Sequence, residues 1–475
     1  MKKNSIVVIC AVLLIGSIAT ADLIWESEVI FSEPGEPSMW EASLALDQDD
    51  NPHVSYRLYY VDNGGVQYDK MLYSYKDSQG WVSSIFDFDG GAYESLAIDS
   101  QGFAHISYYD TPGEDLAYTY WDGTGWQKET VDKYDYYGSV GGFTSLVLDG
   151  NDNPHISYMD WTGSYRIKYA HDDGTGWEIQ EFPGWFGRTD MTLDDSGNPH
   201  IVAGGQYGYW NGSSWQISTF QSGGGIGEVS IKLDSAGNPH IAYYGDGIKY
   251  AYWNGSSWEI QTVGHVFSMI SLELDSNDIP HIMYGTCNYA TLVEGNWVTK
   301  SLASGHFEDF ALDSYDRVHF VYTPHYESLV YMHQVPEPTI GVAVDIKPGS
   351  CPNPLNVKSK GVLPIAILGS AEVDVTTIDV ATILLEGVVI PIRSSYEDVA
   401  TVFDSNDCNC ATRGPDGFLD LTLKFDIRDI ADVIGDVSHR DELSLTLEGA
   451  LFEEFGGTLI QGADCITIRV PRKAR

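Results

Sequence analysis

Three histidines, His265, His306 and His325, fall between predicted strands, with Glu308, Asp309 and Glu327 close to them in the chain. Imidazole and carboxylate groups in that company suit a divalent metal or an acid–base pair. Three arginines in comparable segments, Arg57, Arg166 and Arg188, suit the clamping of a carboxylate by paired hydrogen bonds. A larger set mixes aromatic rings with carboxylates and one of these arginines: Tyr59, Tyr60, Asp110, Tyr136, Tyr137, Asp160, Trp161, Tyr165, Trp185 and Arg188. Rings stack on the C–H faces of sugars while carboxylates take their hydroxyls, so this set suits carbohydrate. Near the C-terminus Asp404, Asn406, Asp407, Asp416 and Asp420 crowd hard oxygen ligands around glycines, which suits Ca2+, although the spacing is not that of a twelve-residue EF-hand loop.

The elements that carry these residues repeat. The stretch Ser230–Val263, SIKLDSAGNPHIAYYGDGIKYAYWNGSSWEIQTV, holds four short runs rich in Ile, Tyr, Val and Trp between turn clusters, and reads as four strands in tight hairpins. Aligning on Asp234 and His240 recovers seven copies, Asp and His always six apart: Asp47/His53, Asp99/His105, Asp149/His155, Asp194/His200, Asp234/His240, Asp275/His281 and Asp313/His319. The anchors recur every 38 to 52 residues, the period of four-stranded propeller blades. Positions one and three ahead of each Asp are apolar and the second and fourth mostly small or polar, so this run is a strand. A fourth strand opens with Trp in six copies, and the last copy lacks one. Trp25/Ile30 near the start has the same spacing, so the N-terminal strand is expected to complete the last blade and close a seven-bladed ring, which removes exposed edges.

The phrase D-x-x-G-N-P-H-I-x-Y resembles the propeller-type repeats of secreted bacterial and archaeal proteins, distantly related to the Asp-box repeats of sialidases. Propellers host unrelated activities, so the resemblance implies architecture rather than function. In such a ring the DSAGNPH and WNGSSW turns share one face and barely vary between copies. The seven repeat histidines, each tied to its own turn, are therefore read as structural, Asp accepting turn hydrogen bonds and His packing beside it. The opposite face varies from copy to copy and carries the aromatic, His and Arg sets above.

Residues 1–21, MKKNSIVVICAVLLIGSIATA, have the basic start, apolar core and small-residue end of a signal peptide, and no later run is long enough to span a membrane. Export as a secreted, extracellular or periplasmic protein follows. A formal net charge of −42 excludes nucleic acid as a partner. The boundaries expected are a propeller over 22–333, a proline-bearing linker over 334–341 and a second domain over 342–475. There VAVDI, VLPIAIL, FLDLTLKF and CITIRV predict an immunoglobulin-like β-sandwich with one helix at IRDIADVIG. DIKPGSCPNPLNVKSKGVLPIAILG and GPDGFLDLTLKFD resemble an accessory module found near the C-termini of secreted prokaryotic proteins. Of its four cysteines, Cys351 is expected to pair with one of Cys408, Cys410 and Cys465; a zinc site is the alternative, disfavoured by the absence of a CxxC pair.

The all-β chain is thus expected to be a secreted monomer that binds carbohydrate or another cell-surface ligand without catalysis, with Ca2+ as its one cofactor and no organic cofactor. A sialidase-like glycosidase or polysaccharide lyase using the His or Arg set is the second reading, and a protein-binding scaffold the third.

Overall fold

The computed structural model describes residues 23–32, 38–61, 67–133, 138–162, 165–182, 185–222, 226–265, 269–324, 328–336, 339–402, 414–435, 437–452, 455 and 457–470. They are nearly all β, with one α-helix among them, and fall into two compact units divided between Val335 and Pro336.

The first unit holds seven four-stranded antiparallel sheets of the kind that form propeller blades. Their first strands are Ser38–Leu46, Gly91–Ile98, Val140–Leu148, Thr189–Leu193, Val229–Leu233, Ile270–Leu274 and His306–Leu312. In the seventh sheet the outer position is taken by Leu23–Ser32, which pairs with Ser328–Pro336. The N-terminal segment thus covers an edge that the last copy would leave open.

Neighbouring sheets are stitched by the residue four before each repeat Asp, which is always Ser or Asp. Ser43 Oγ accepts from the Leu96 amide (3.2 Å), Ser95 Oγ from Leu146 (3.0 Å), Ser145 Oγ from Met191 (3.1 Å), Asp190 Oδ2 from Ile231 (2.8 Å) and Ser230 Oγ from Leu272 (3.1 Å). Ser271 Oγ donates to Asp309 Oδ1 (3.1 Å), and Asp309 Oδ2 accepts from the Leu44 amide (3.0 Å). The series runs from each sheet to the next and from the seventh back to the first. Asp309, expected beside a catalytic histidine, is occupied by this structural role.

The repeat motif serves the same end. Each repeat Asp turns an oxygen to the amides of its own turn, as Asp234 Oδ1 does to Ala236 (3.0 Å) and Asn238 (2.7 Å). Its other oxygen lies 3.1–4.0 Å from Nε2 of the repeat His. Nδ1 of that His meets a tyrosine hydroxyl of the third strand: Tyr73, Tyr118, Tyr169, Tyr207, Tyr250, Tyr289 and Tyr331 in order. Across the first five sheets the Trp near the start of the next sheet's fourth strand lies edge-on to this tyrosine, at 5.3 Å for Trp126 on Tyr73 and 5.3 Å for Trp297 on Tyr250. Trp81 of the first sheet meets Tyr331 of the seventh in the same way, at 5.3 Å. Burial holds all seven ring pKa values below the ordinary one, so these histidines are neutral at pH 7.

The second unit has two sheets around one core. One runs in the order Val344–Ile346, Val362–Ile367, Asp420–Asp426, Arg393–Glu397. The other runs Thr339–Gly341, Leu459–Ile468, Glu442–Leu451, Ile378–Leu385. Alternate residues of both, among them Ile365, Leu423 and Phe425 from the first and Leu447, Ile460 and Ile466 from the second, are buried together. Helix Ile427–Ile434 starts at Asp426, whose side chain caps the Arg428 amide at 2.9 Å. The expected linker is shorter than 334–341: the strand Ser328–Pro336 includes Gln334 and Val335, and Thr339–Gly341 pairs in parallel with Leu459–Gln461. Gln334 holds its place because Oε1 accepts from the Val318 amide at 2.8 Å.

Candidate functional site

The residues five and six before each repeat Asp stand where the first strand of each sheet begins. In the first six sheets they are Glu41 and Ala42, Tyr93 and Glu94, Phe143 and Thr144, Arg188 and Thr189, Glu228 and Val229, and Met269 with Ile270. All except Ile270 line one cavity of about 130 Å³, so six sheets contribute to a single mouth. The strands do not enter it regularly. Pairing slips just ahead of Ser43, Ser95 and Ser145, and Glu41, Tyr93 and Phe143 take left-handed backbone angles (φ 58°, 61° and 51°). A bulge with a non-glycine residue at positive φ re-aims side chains at a cost in strain, and such outliers gather at functional sites.

Carboxyl groups dominate the mouth. Glu308 Oε2 accepts from the Glu41 amide (3.1 Å) and its Oε1 from the Thr323 hydroxyl (3.1 Å), while Glu41 Oε2 accepts from the Tyr93 amide (3.0 Å). Glu94 is only 8 % exposed, and among the described residues neither of its carboxyl oxygens reaches a hydrogen-bond partner outside its own residue. Burial raises the carboxyl pKa of Glu41; burial, then Glu41 and Glu308, push that of Glu94 well above the ordinary range. Burial pushes Glu308 up to about 8, and Glu228 up to about 7 although Arg188 Nε lies 2.8 Å from its Oε1.

Aromatic rings form the adjoining wall. Trp161 meets Tyr93 at 5.9 Å, Tyr109 at 5.6 Å and Phe143 at 5.9 Å between ring centroids, and Tyr93 lies 4.3 Å from Phe143. Arg188 covers the Phe143 ring, its Cζ 4.2 Å from the centroid. Gly142 makes room for this wall: a Cβ there would come within 2.1 Å of the Trp161 ring.

Of the expected binding residues, the structure brings Trp161 and Arg188 to the mouth. Tyr60 is stacked on Tyr68 at 4.5 Å, Tyr59 lies 6.0 Å from the Arg57 guanidinium, and Tyr165 is exposed. Trp185 is buried against Phe182 at 5.0 Å and over Gly208, so it is a core ring and not a binding surface. Asp160 is fully buried, binding Thr162, Arg166 and Lys168, and Asp110 accepts from Lys128 at 3.2 Å. Tyr136 and Tyr137 lie outside the described residues.

The arginines do not converge on one carboxylate. Arg57 is held by Asp69 (2.9 and 2.6 Å), Arg166 by Asp160 (3.0 Å) and Glu181 (2.9 Å), and Arg188 by Glu228. Arg57 and Arg188 both act electrostatically on Glu41, whereas Arg166 sits in its own sheet's ion-pair network. His306 lines a separate cleft of about 440 Å³ with Thr286, Ser301 and Pro324, His265 is not among its lining residues, and His325 and Glu327 lie outside the described residues.

In the second unit Asp404, Asn406 and Asp407, with Cys408 and Cys410, lie outside the described residues. Asp416 is exposed and caps the Phe418 amide (3.1 Å). Asp420 is fully buried and its two oxygens accept from the amides of Gly369, Val399 and Ala400 (2.7–3.0 Å), which leaves it no role as a cation ligand. Among the described residues no group of three or more His, Cys, Asp or Glu is arranged to hold a metal, and no helix is long and apolar enough to cross a membrane.

Strand periodicity does not find the mouth, yet its residues share a signal: six before the repeat Asp, identity changes from Glu to Tyr, Phe, Arg and Met while the Asp and the His stay fixed. No family model matches the chain, and no curated protein does. Similar solved structures include an α-L-arabinanase of Penicillium chrysogenum complexed with arabinobiose (12 % identity, TM-score 0.41, covering 65 % of this chain and 97 % of that one). A PL25 ulvan lyase is similar at 15 % identity and TM-score 0.41, covering 55 % of this chain and 80 % of that one. The SapL1 lectin in complex with α-methyl fucoside is similar at 15 % identity and TM-score 0.36, covering 56 % and 97 %.

Proposed function

We propose that the chain is a secreted carbohydrate-binding protein: a signal peptide over 1–21, a closed seven-bladed propeller whose mouth holds the ligand, and an immunoglobulin-like accessory sandwich closed by a disulfide from Cys351. The observation that carries the binding reading is a cavity to which six sheets each bring copy-specific residues, carboxyl groups and the rings of Tyr93 and Phe143 among them, with Trp161 and Tyr109 packed beside those rings. A sugar would set its C–H face on the rings and its polar groups among the acids. Glycan-array screening of the mature chain tests this. Trp161→Ala is expected to weaken the strongest hit at least about ten-fold, equivalent to about 1.4 kcal/mol, with the fold retained; unchanged binding would remove the mouth from consideration.

A second reading is glycoside cleavage, favoured by Glu94, which lines the cavity and whose burial favours the protonated form that a general acid requires. Release of reducing ends from the array hit supports it, and their absence over prolonged incubation leaves binding alone. The separation of Arg166 from Arg57 and Arg188 speaks against sialidase-like clamping.

Ca2+ in the acidic turn before Asp420 belongs to the same proposal, with Asp416 as a ligand and Asp420 as its backbone support. Added Ca2+ is expected to raise the melting temperature of the second unit, and Asp416→Ala to abolish that rise. An unchanged melt disposes of the site.

A further inference from the structure

We propose that the mouth receives the ammonium group of an amino sugar, with Glu94 as its principal acceptor. The inference rests on the carbohydrate reading above and names its ligand class. Glu94 is the starting point: it lines the cavity, it is more than nine-tenths buried, and among the described residues both its oxygens lack a partner beyond their own residue. A buried acceptor left without a donor has given up its water for nothing, and native folds keep few of them. The missing donor is supplied from outside the chain.

The surrounding charges select its chemistry. The two cations near the mouth are already engaged, Arg57 by Asp69 and Arg188 by Glu228. The remaining ionisable groups that act on Glu94 are the acids Glu41 and Glu308, which disfavour its ionisation as like charges. A ligand carboxylate, sulfate or phosphate would bring a negative charge to a place where burial and neighbouring acids already disfavour one. A neutral hydroxyl would satisfy one oxygen and bring no charge to favour ionisation of the acid. An ammonium donates three hydrogen bonds and brings the positive charge that lets buried carboxyls ionise.

A metal ion is a poorer match than an ammonium. Ca2+ needs six to eight oxygens converging at about 2.3–2.6 Å, and among the described residues no three such groups are so arranged. Charge-assisted N–H···O bonds form at about 2.7–2.9 Å and tolerate acceptors spread around a small pocket. The cavity, about 130 Å³, takes a substituent and leaves the pyranose ring outside. The part-exposed rings of Trp161 and Tyr109 adjoin the cavity through Tyr93, and a pyranose stacked on that wall is why a sugar amine fits the site better than an unattached one.

Isothermal titration of the mature chain with the β-1,4 trisaccharide of glucosamine, and with its fully N-acetylated counterpart, tests the inference. The two probes share a backbone and differ in charge at the amine. The wild type is expected to bind the free amine form at least ten-fold more tightly. Glu94→Gln, nearly isosteric, erases that preference, and Trp161→Ala weakens both probes alike. Equal affinity of the two probes for the wild type, or binding of neither, overturns the inference without any variant, so it does not depend on Glu94→Gln folding. Binding of the N-acetylated form alone overturns it and leaves the carbohydrate reading standing. A preference that survives Glu94→Gln, or saturable binding of CaCl2 alone that is lost in Glu94→Gln, overturns it as well.

Discussion

Trp25→Ala lowers the melting temperature of the first unit by about 10 °C. The ring is 7 % exposed, edge-on to Phe320 at 5.9 Å, and buried with Met283, Cys287, Phe307 and Phe310. Emptying a site of that kind costs roughly 3–5 kcal/mol, against a total stability on the order of 5–15 kcal/mol. Each kcal/mol shifts the midpoint by about 2–4 °C for a domain of this order of size. The effect exceeds that of an ordinary core truncation because Trp25 anchors the strand that covers Ser328–Pro336; loosening it frees a sheet edge and favours aggregation. Val29 lies on the same strand but is 53 % exposed, and Val29→Ala changes stability by less than about 1 kcal/mol. All 13 tryptophans precede residue 300, so tryptophan fluorescence follows this unit alone. Equal, small shifts in the two variants would show that the N-terminal strand does not hold the ring shut.

The second large effect is a loss of stability as pH rises from 7 to 9. Glu308 keeps its proton in the folded state up to about pH 8, whereas the unfolded chain releases it near 4.5. Between those values the folded state binds more protons, so the stability fully present at low pH is progressively lost as pH climbs through about 8. Over the whole window this is on the order of 3–5 kcal/mol, of which about 1–2 kcal/mol falls between pH 7 and 9. Glu94, raised well above its ordinary value, acts in the same direction. The repeat histidines do not interfere, because with folded values held low and unfolded ones near 6.5 they are neutral in both states above pH 7.5. Glu94→Gln removes one of the groups, so it flattens the slope and is more stable than the wild type at pH 9 by about 1–3 kcal/mol. Urea unfolding at pH 7, 8 and 9 measures both quantities. A variant less stable than the wild type at pH 9 would mean that Glu94 is not the uncompensated group described here.

The frame of the first unit was legible because it depends on short-range order. Asp234 and His240 sit on one hairpin, their turn is closed by amides two and four residues on, and the strand ahead alternates with period two. The partner of the histidine was not legible. Tyr73 follows His53 by 20 residues, Tyr207 follows His200 by 7, and the distance changes with each second-to-third strand connection. The Ser or Asp four before the repeat Asp was visible only as a small or polar position, since its bond is made to another sheet some 40–50 residues away.

The site was less legible than the frame, for a reason in the backbone. Alternation assigns faces only while the strand stays regular, and the bulges at Glu41, Tyr93 and Phe143 break it just where the mouth begins. Tyr60, near a strand end, and Trp185, in a loop, looked exposed by position but found partners in Tyr68 and Phe182. Carboxylates at Asp160 and Asp420 looked available but are consumed internally, the first by Arg166 and Lys168 and the second by backbone amides. Composition shows how many such groups a chain has; burial decides which remain free to meet a ligand.

A crystal structure of the mature chain soaked with the strongest array hit tests the central claim most directly. The account predicts one sugar residue stacked on Trp161, with a polar substituent reaching the carboxyl of Glu94 between the first strands of the sheets. Ligand density confined to the outer rim between neighbouring sheets, with the mouth unchanged, would contradict it.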